Sequence, residues 1–288
     1  MVLEQIPYAI ATGLIFGFLL ALTAVGLTLI FGVLDIPNFA QGEFAAFGGF
    51  GVIALMGFGI GLVPAIAIAL VLTFVAGVAV ERLIMAPLYD DDEFFLLSFF
   101  ASFGIVIAFE ELLRYYFGAS LFRVSFPNLG SFQLFGGTIT YNQVLVSVVA
   151  VLMLAALYLF TRYTYFGLAI RALANDKEGA KIIGVDEDRV YPITFGIGSF
   201  ITGMTGVLYG ILFPLSPSIG VELTAFAFVI VVVGGIGSFG GTIAASLLIG
   251  VIDSISSVVV GSRYRIFVVF LILFLILIAR PTGLRGDS

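Results

Sequence analysis

Between Glu43 and Glu81 lie 37 consecutive residues, Phe44 to Val80, without a charge. A helix rising about 1.5 Å per residue crosses a bilayer core in about 20 apolar residues. The run is therefore too long for one span and barely enough for two. Gly57, Gly59, Gly61 and Pro64 mark the break, predicting segments near 41–58 and 63–81. The rest of the sequence is of the same kind. It is 61% hydrophobic and 10% charged, against about 25% charged in soluble domains. A soluble fold of 288 residues could not hide that much apolar surface. Disorder is excluded as well, and a net charge of -6 with no basic stripe excludes nucleic acid as a partner. The chain is an integral membrane protein in contact with lipid.

The 30 uncharged residues between Glu4 and Asp35 hold a first span near 8–32. They are too long, and preceded by too acidic a start, for a cleavable signal. Further spans are predicted near 94–117, 141–161, 191–213, 222–236, 240–259 and 264–279. The mixed stretch 118–140, with Pro127, Asn128 and Gly130, reads as an external loop. The predicted fold is an all-α, polytopic transmembrane helix bundle of about eight or nine membrane segments. The glycine cluster from Gly234 to Gly241 makes re-entrant or broken helices part of that expectation. A single transmembrane domain covers 1–288. One set of connections carries Arg82, Arg162, Arg171, Lys177, Lys181, Arg189, Arg280 and Arg285; the other carries Arg114, Arg123, Arg263 and Arg265. The heavier set belongs in the cytoplasm, which predicts a multi-pass protein of the cell membrane with its N-terminus outside and its C-terminus cytoplasmic.

With no Cys and no His, thiol chemistry, disulfides, the usual zinc sites and a Ser-His-Asp triad are all excluded. The ionisable candidates inside or beside spans are Asp35, Glu43, Glu110, Glu111, Glu222 and Asp253. No segment carries the row of central carboxylates expected of an ion-driven carrier. Gly13 and Gly17 have the spacing of close helix packing. Two other glycine-rich regions, Gly42–Gly51 and Gly234–Gly241, put helix-breaking residues at membrane depth. Irregular backbone survives there only when buried in protein or lining a cavity, and broken helices often frame a transporter's pathway. Asn38, Gln41, Glu43, Gly234, Gly235 and Gly237 are therefore the candidate pathway residues. The other reading of Asn38, Gln41 and Glu43 is a wet interfacial loop.

The longest cytoplasmic connection reads RALANDKEGAKIIGVDEDR, from Arg171 to Arg189. Asn175 and Glu178 have capping-box spacing, and Gly184 with Val185 supplies a left-handed stop. A short helix near 176–183 follows, with Ala180 and Ile183 toward one side. Two turns are not stable alone and must pack on the membrane domain or on another subunit.

Three blocks, GLTLIFGVLDIPNFAQGEFAAFG, RALANDKEGAKIIGVDEDRV and GGIGSFGGTIAASLLIGVIDSISS, with PTGLRG at the C-terminus, resemble the permeases of branched-chain amino acid ABC importers. The resemblance spans nearly the whole chain. It implies a transport subunit with no catalytic site, cofactor or metal of its own. Its partners would be a second permease of the same family, two ATP-binding subunits carrying ATP and Mg, and an external solute-binding protein. No P-loop occurs in the chain, consistent with ATP bound elsewhere. The stretch 163–190 is similar to the Glu-Ala-Ala loop of other importers, which docks on the ATPase. Glu178, Ala180 and Gly184 match that motif, with Gly179 in place of its first Ala; Arg171 and Asp176 complete the predicted coupling residues. Small Gly179 and Ala180 would admit close approach of the ATPase. Family members commonly have His where Gln41 stands, which leaves hydrogen bonding as the only role to carry over. The solutes implied are branched-chain amino acids or a related small polar solute. An ion-coupled secondary carrier or channel is the alternative; it would need no ATPase and no structured loop.

Overall fold

The computed structural model describes residues 2–35, 37–89 and 91–279. Asp90, Arg280, Arg285 and PTGLRG lie outside the described residues. Helix α1 (Val2–Leu34) is followed by α2 (Gln41–Gly57) and α3 (Leu62–Val80), which continues through a π turn and a 3-10 turn to Leu88. Then come α4 (Phe94–Phe117), a hairpin of β1 (Ser131–Leu134) and β2 (Gly137–Thr140), and α5 (Tyr141–Tyr163). Two short helices, α6 (Tyr165–Asn175) and α7 (Lys177–Ile182), precede α8 (Glu187–Leu212), α9 (Ile219–Gly234), α10 (Phe239–Val259) and α11 (Arg265–Ala279).

Six of these helices are long and apolar enough to cross a membrane: α1, α3 with its extension, α4, α5, α8 and α10. The other three apolar segments of the sequence form helices of 17, 16 and 15 residues, α2, α9 and α11, shorter than the roughly 20 of a perpendicular span.

The bundle is built around α1 and α8. Their apolar windows are 67% buried, against 22% for α4 and α5, which lie at the periphery. One core cluster joins α1 to α5, α6, α7 and α8, and a second joins α1 to α2, α9 and α10. Lipid-like surroundings supply no hydrophobic drive between helices, so close van der Waals approach has to hold them together. Gly13 and Gly17 meet α10 at Gly250, Val251 and Leu247, where a Cβ on Gly13 would lie 2.7 Å from the Val251 backbone. On the other side Gly48 and Gly49 of α2 bring that helix against Gly203 and Gly206 of α8. The glycines of Gly42–Gly51 are thus packing residues inside a continuous helix. The break that sequence assigned to them lies upstream, at Asp35–Ala40.

Three elements differ from expectation. The stretch 118–140 is not all loop. Phe135 and Gly136 both take positive φ, 51 and 74°, the twist of a two-residue hairpin turn, and Ser131 to Leu134 pair with Thr140 to Gly137. Helix α6 was not anticipated; Thr164 caps it by accepting from the Gly167 N–H at 2.9 Å. Helix α8 begins at Glu187 rather than 191, because Glu187 and Asp188 in its first turn suit a helix N-terminus although they end the apolar run.

Gly17→Leu and Gly206→Val are each expected to cost roughly 1–3 kcal/mol by overpacking a backbone-to-backbone contact. Gly104→Ala, where a Cβ meets nothing within 4 Å, should be neutral or slightly stabilising. Unfolding of the purified chain by denaturing detergent measures all three.

Candidate functional site

Helix α1 ends at Leu34, and Asp35 turns the chain with φ 59°. The chain then re-enters the protein, and α2 begins beside the middle of α8. Gln41 Nε2 donates to Gly198 O at 3.2 Å and to Thr202 Oγ1, while its Oε1 accepts from Asn38 Nδ2 at 3.1 Å. Asn38 Oδ1 in turn accepts from the Ala40 N–H at 3.1 Å. Asn38, Gln41 and Glu43 are all 0% exposed. They form a buried joint, not a wet interfacial loop, and the two amides are there because the bent backbone needs partners.

The start of α9 closes the joint from the opposite direction. The Gly42 N–H donates to Thr224 Oγ1 at 2.8 Å, and the Glu43 carboxyl lies against Gly220, so closely that no side chain fits there. Two helix N-termini, each with a partial positive charge, therefore meet at one carboxyl group. Neither Glu43 oxygen has a hydrogen-bond partner among the described residues. Glu110 of α4 is paired with Arg114. Next to the joint, Phe39 stacks on Phe103 and Phe228 with ring centroids 4.8 and 4.4 Å apart. These rings and Thr224 border an apolar cavity of about 340 Å³. No group of three or more acidic side chains able to hold a metal occurs among the described residues.

The structure does not bring the remaining pathway candidates to this place. Gly234, Gly235 and Gly237 lie at the far end of α9, in the turn to α10, about 24 Å from its start for 16 residues. Gly235 and Gly237 take positive φ, 91 and 79°, and Gly234 rests on the backbone of Gly241. The cluster is a tight helix–helix turn, and Ser238 caps α10 by accepting from the Gly241 N–H. At the other end of the bundle Arg265 reaches Glu222 at 2.7 Å and buried Asp253 at 3.1 Å, tying α11 to α9 and α10.

The connection 163–190 is two short helices. Asp176, not Asn175, caps α7, accepting from the Gly179 N–H at 3.0 Å; Asn175 is the last residue of α6. Gly184 takes φ 90°, and the Val185 N–H closes on Ala180 O at 2.9 Å, a left-handed stop as expected. The face of α7 is rotated from expectation. Ala180 is 3% exposed and packs into the chain's own core, whereas Ile182 and Ile183 are 84% and 76% exposed. Ala180 therefore cannot receive a docking subunit. Its small size serves the approach of α7 to its own bundle. Glu178 is exposed, and Arg171 on α6 donates back to Arg162 O at 3.2 Å. Sequence reasoning missed the link between loop and joint: Lys177 Nζ pairs with Asp35 at 2.8 Å and donates to Leu34 O at 3.4 Å.

Residues 9–279 match the family described as the branched-chain amino acid transport system / permease component. The chain belongs to this family. Among relatives, a high-affinity branched-chain amino acid transport system permease protein LivH of Salmonella typhimurium is 32% identical over 95% of this chain and 93% of its own length. Its counterpart in Escherichia coli is also 32% identical, over the same shares. A probable LivH permease of Methanocaldococcus jannaschii is 27% identical over 95% of this chain and 90% of its own. Among solved structures, PsaBC from Streptococcus pneumoniae in complex with Fab has a TM-score of 0.52 at 8% identity, covering 96% of this chain and 94% of that one. This last likeness concerns the fold alone. The permease is a multi-pass membrane protein for branched-chain amino acid transport.

Gln41→Leu would leave Thr202, Gly198 and Asn38 short of a partner inside the permease. The expected loss is about 1–3 kcal/mol of stability, read by detergent denaturation, together with reduced solute uptake.

Proposed function

We propose that this permease is the membrane subunit of an ATP-driven importer, and that α7 is its point of contact with the ATPase. The observation that carries the reading is the asymmetry of α7. One face is fixed in the bundle through Ala180 and the Lys177–Asp35 pair, while Ile182 and Ile183 stand out into the surroundings. Exposed apolar residues on a short rigid element suit docking to a partner. In this reading ATP and Mg bind in two partner ATPases, a second permease of the family completes the pathway, and an external binding protein delivers a branched-chain amino acid. The N-terminus is outside, and the end carrying α6 and α7 is cytoplasmic. The apolar cavity beside Phe39 suits passage of a branched side chain. Movement of α7 would reach the joint at Asn38–Glu43 through Asp35, which lies at the head of that bend.

Such coupling is tested by separating docking from transmission. Ile182→Asp with Ile183→Asp is expected to abolish capture of the ATPases by the tagged permease while leaving membrane levels unchanged. Asp35→Asn should leave capture intact and lower solute-stimulated ATP hydrolysis several-fold, and the swap Asp35→Lys with Lys177→Asp should restore part of it. Full capture by the double Ile variant would overturn α7 as the docking element.

Orientation has an independent test, because the chain contains no native cysteine. Asn128→Cys should react with an impermeant reagent in intact cells, and Asp188→Cys only after permeabilisation. The reverse pattern would invert the assignment.

A further inference from the structure

The geometry points to a binding site for the phosphate headgroup of an anionic lipid at the end of the bundle that carries α6 and α7. It rests on the reading that this end is cytoplasmic only for the leaflet from which the lipid comes. A pocket of about 320 Å³ lies there between α1, α5, α6 and α10, with Arg162 and Arg171 both in its wall. In a chain of net charge -6, these two guanidinium groups have no carboxylate within 4 Å among the described residues. Instead they are held by groups that leave their charge uncompensated. Arg171 donates to Arg162 O at 3.2 Å, and Arg162 donates to the Tyr158 hydroxyl and lies 5.7 and 5.9 Å from the rings of Tyr158 and Tyr163.

The rest of the pocket suits an amphipathic phosphate better than a free ion. Leu29 of α1 and Ile170 of α6 give it an apolar floor, and the N-terminus of α10 opens on it at Gly237 and Phe239. Free N–H groups at a helix start attract phosphate. Tyr163 and Tyr165, 73% and 95% exposed on the same turn, are of the type that settles at headgroup level. Basic pockets between membrane helices on the cytoplasmic side are where acidic headgroups bind. An anionic headgroup seated here would bridge α5 and α6, the two helices that carry α7.

The test is retention of lipid by the full-length permease, purified in mild detergent with an equal mixture of phosphatidylglycerol and phosphatidylcholine and read by native mass spectrometry. The parent chain should retain phosphatidylglycerol preferentially. Arg162→Gln with Arg171→Gln should lower the preference roughly 25-fold, about fivefold per arginine, and Arg162→Lys with Arg171→Lys should keep much of it. Both side chains are exposed, so these variants should elute as folded protein. Equal retention of the two lipids would overturn the site. So would a preference that survives loss of both arginines, or its complete displacement by millimolar inorganic phosphate or glycerol phosphate. Loss of ATPase capture with unchanged lipid retention would assign the arginines to the ATPase interface instead. Lipid retention is read on the isolated permease, so its failure is distinguishable from failure of the importer reading.

Discussion

A backbone that bends inside a membrane protein must find its own hydrogen-bond partners, because lipid supplies none. The joint between α1, α2 and α9 is organised by that constraint. Asn38 and Gln41 satisfy the bend and anchor it to Gly198 and Thr202 in the middle of α8. Thr224 takes up the Gly42 N–H, one of the free donors at the start of α2. The bonds between helices form where the helices approach more closely than side chains allow, with Gly42 against Thr224 and Gly26 against Gln41 and Thr202. The polar groups and the glycines are one device: small residues bring the helices in, and the amides and hydroxyls then fix where the bend sits.

The same joint is tied to α7 by an ion pair. Asp35 is both the end of α1 and the partner of Lys177 at the start of α7. Its carboxylate is 70% exposed and the lysine 36%, so the pair adds little to stability, about 0–1 kcal/mol. Its value is positional. It sets α7 relative to the bend, while Ala180 and Val185 fix the depth of α7 in the bundle. Glu43 is left at the meeting of two helix N-termini with Gly220 against it. Any separation of α2 from α9 would open that contact.

Much of this was legible in the sequence, and the omissions have common causes. Charge-free runs located the apolar segments, since lipid imposes one length scale on them. The runs gave poor boundaries wherever a helix begins with acidic residues, as α8 does at Glu187. The polar residues Asn38, Gln41 and Glu43 between two apolar runs marked this stretch as unusual. Sequence could not tell a wet loop from a buried bend, because the partners Gly198, Thr202 and Thr224 are far along the chain. The Gly234–Gly241 cluster was grouped with that joint on composition alone, although a 16-residue helix holds the two apart. Gly184 was legible as a stop because its positive φ is a local requirement. The face of α7 was not: two turns contain too few residues for a periodicity, and its seat is made by Ala180 and Val185 against core residues distant in the chain, with Lys177 reaching Asp35.

Reconstitution reads the proposed ATP-driven import by this family member without intermediaries. The permease, a second permease of its family, the ATPases and the binding protein are placed in liposomes, and uptake of labelled leucine, isoleucine or valine is followed. Uptake is expected to require both the binding protein outside and hydrolysable ATP on the side where α7 is exposed. Uptake that persists without ATP and instead follows an imposed proton or sodium gradient would make the permease an ion-coupled carrier.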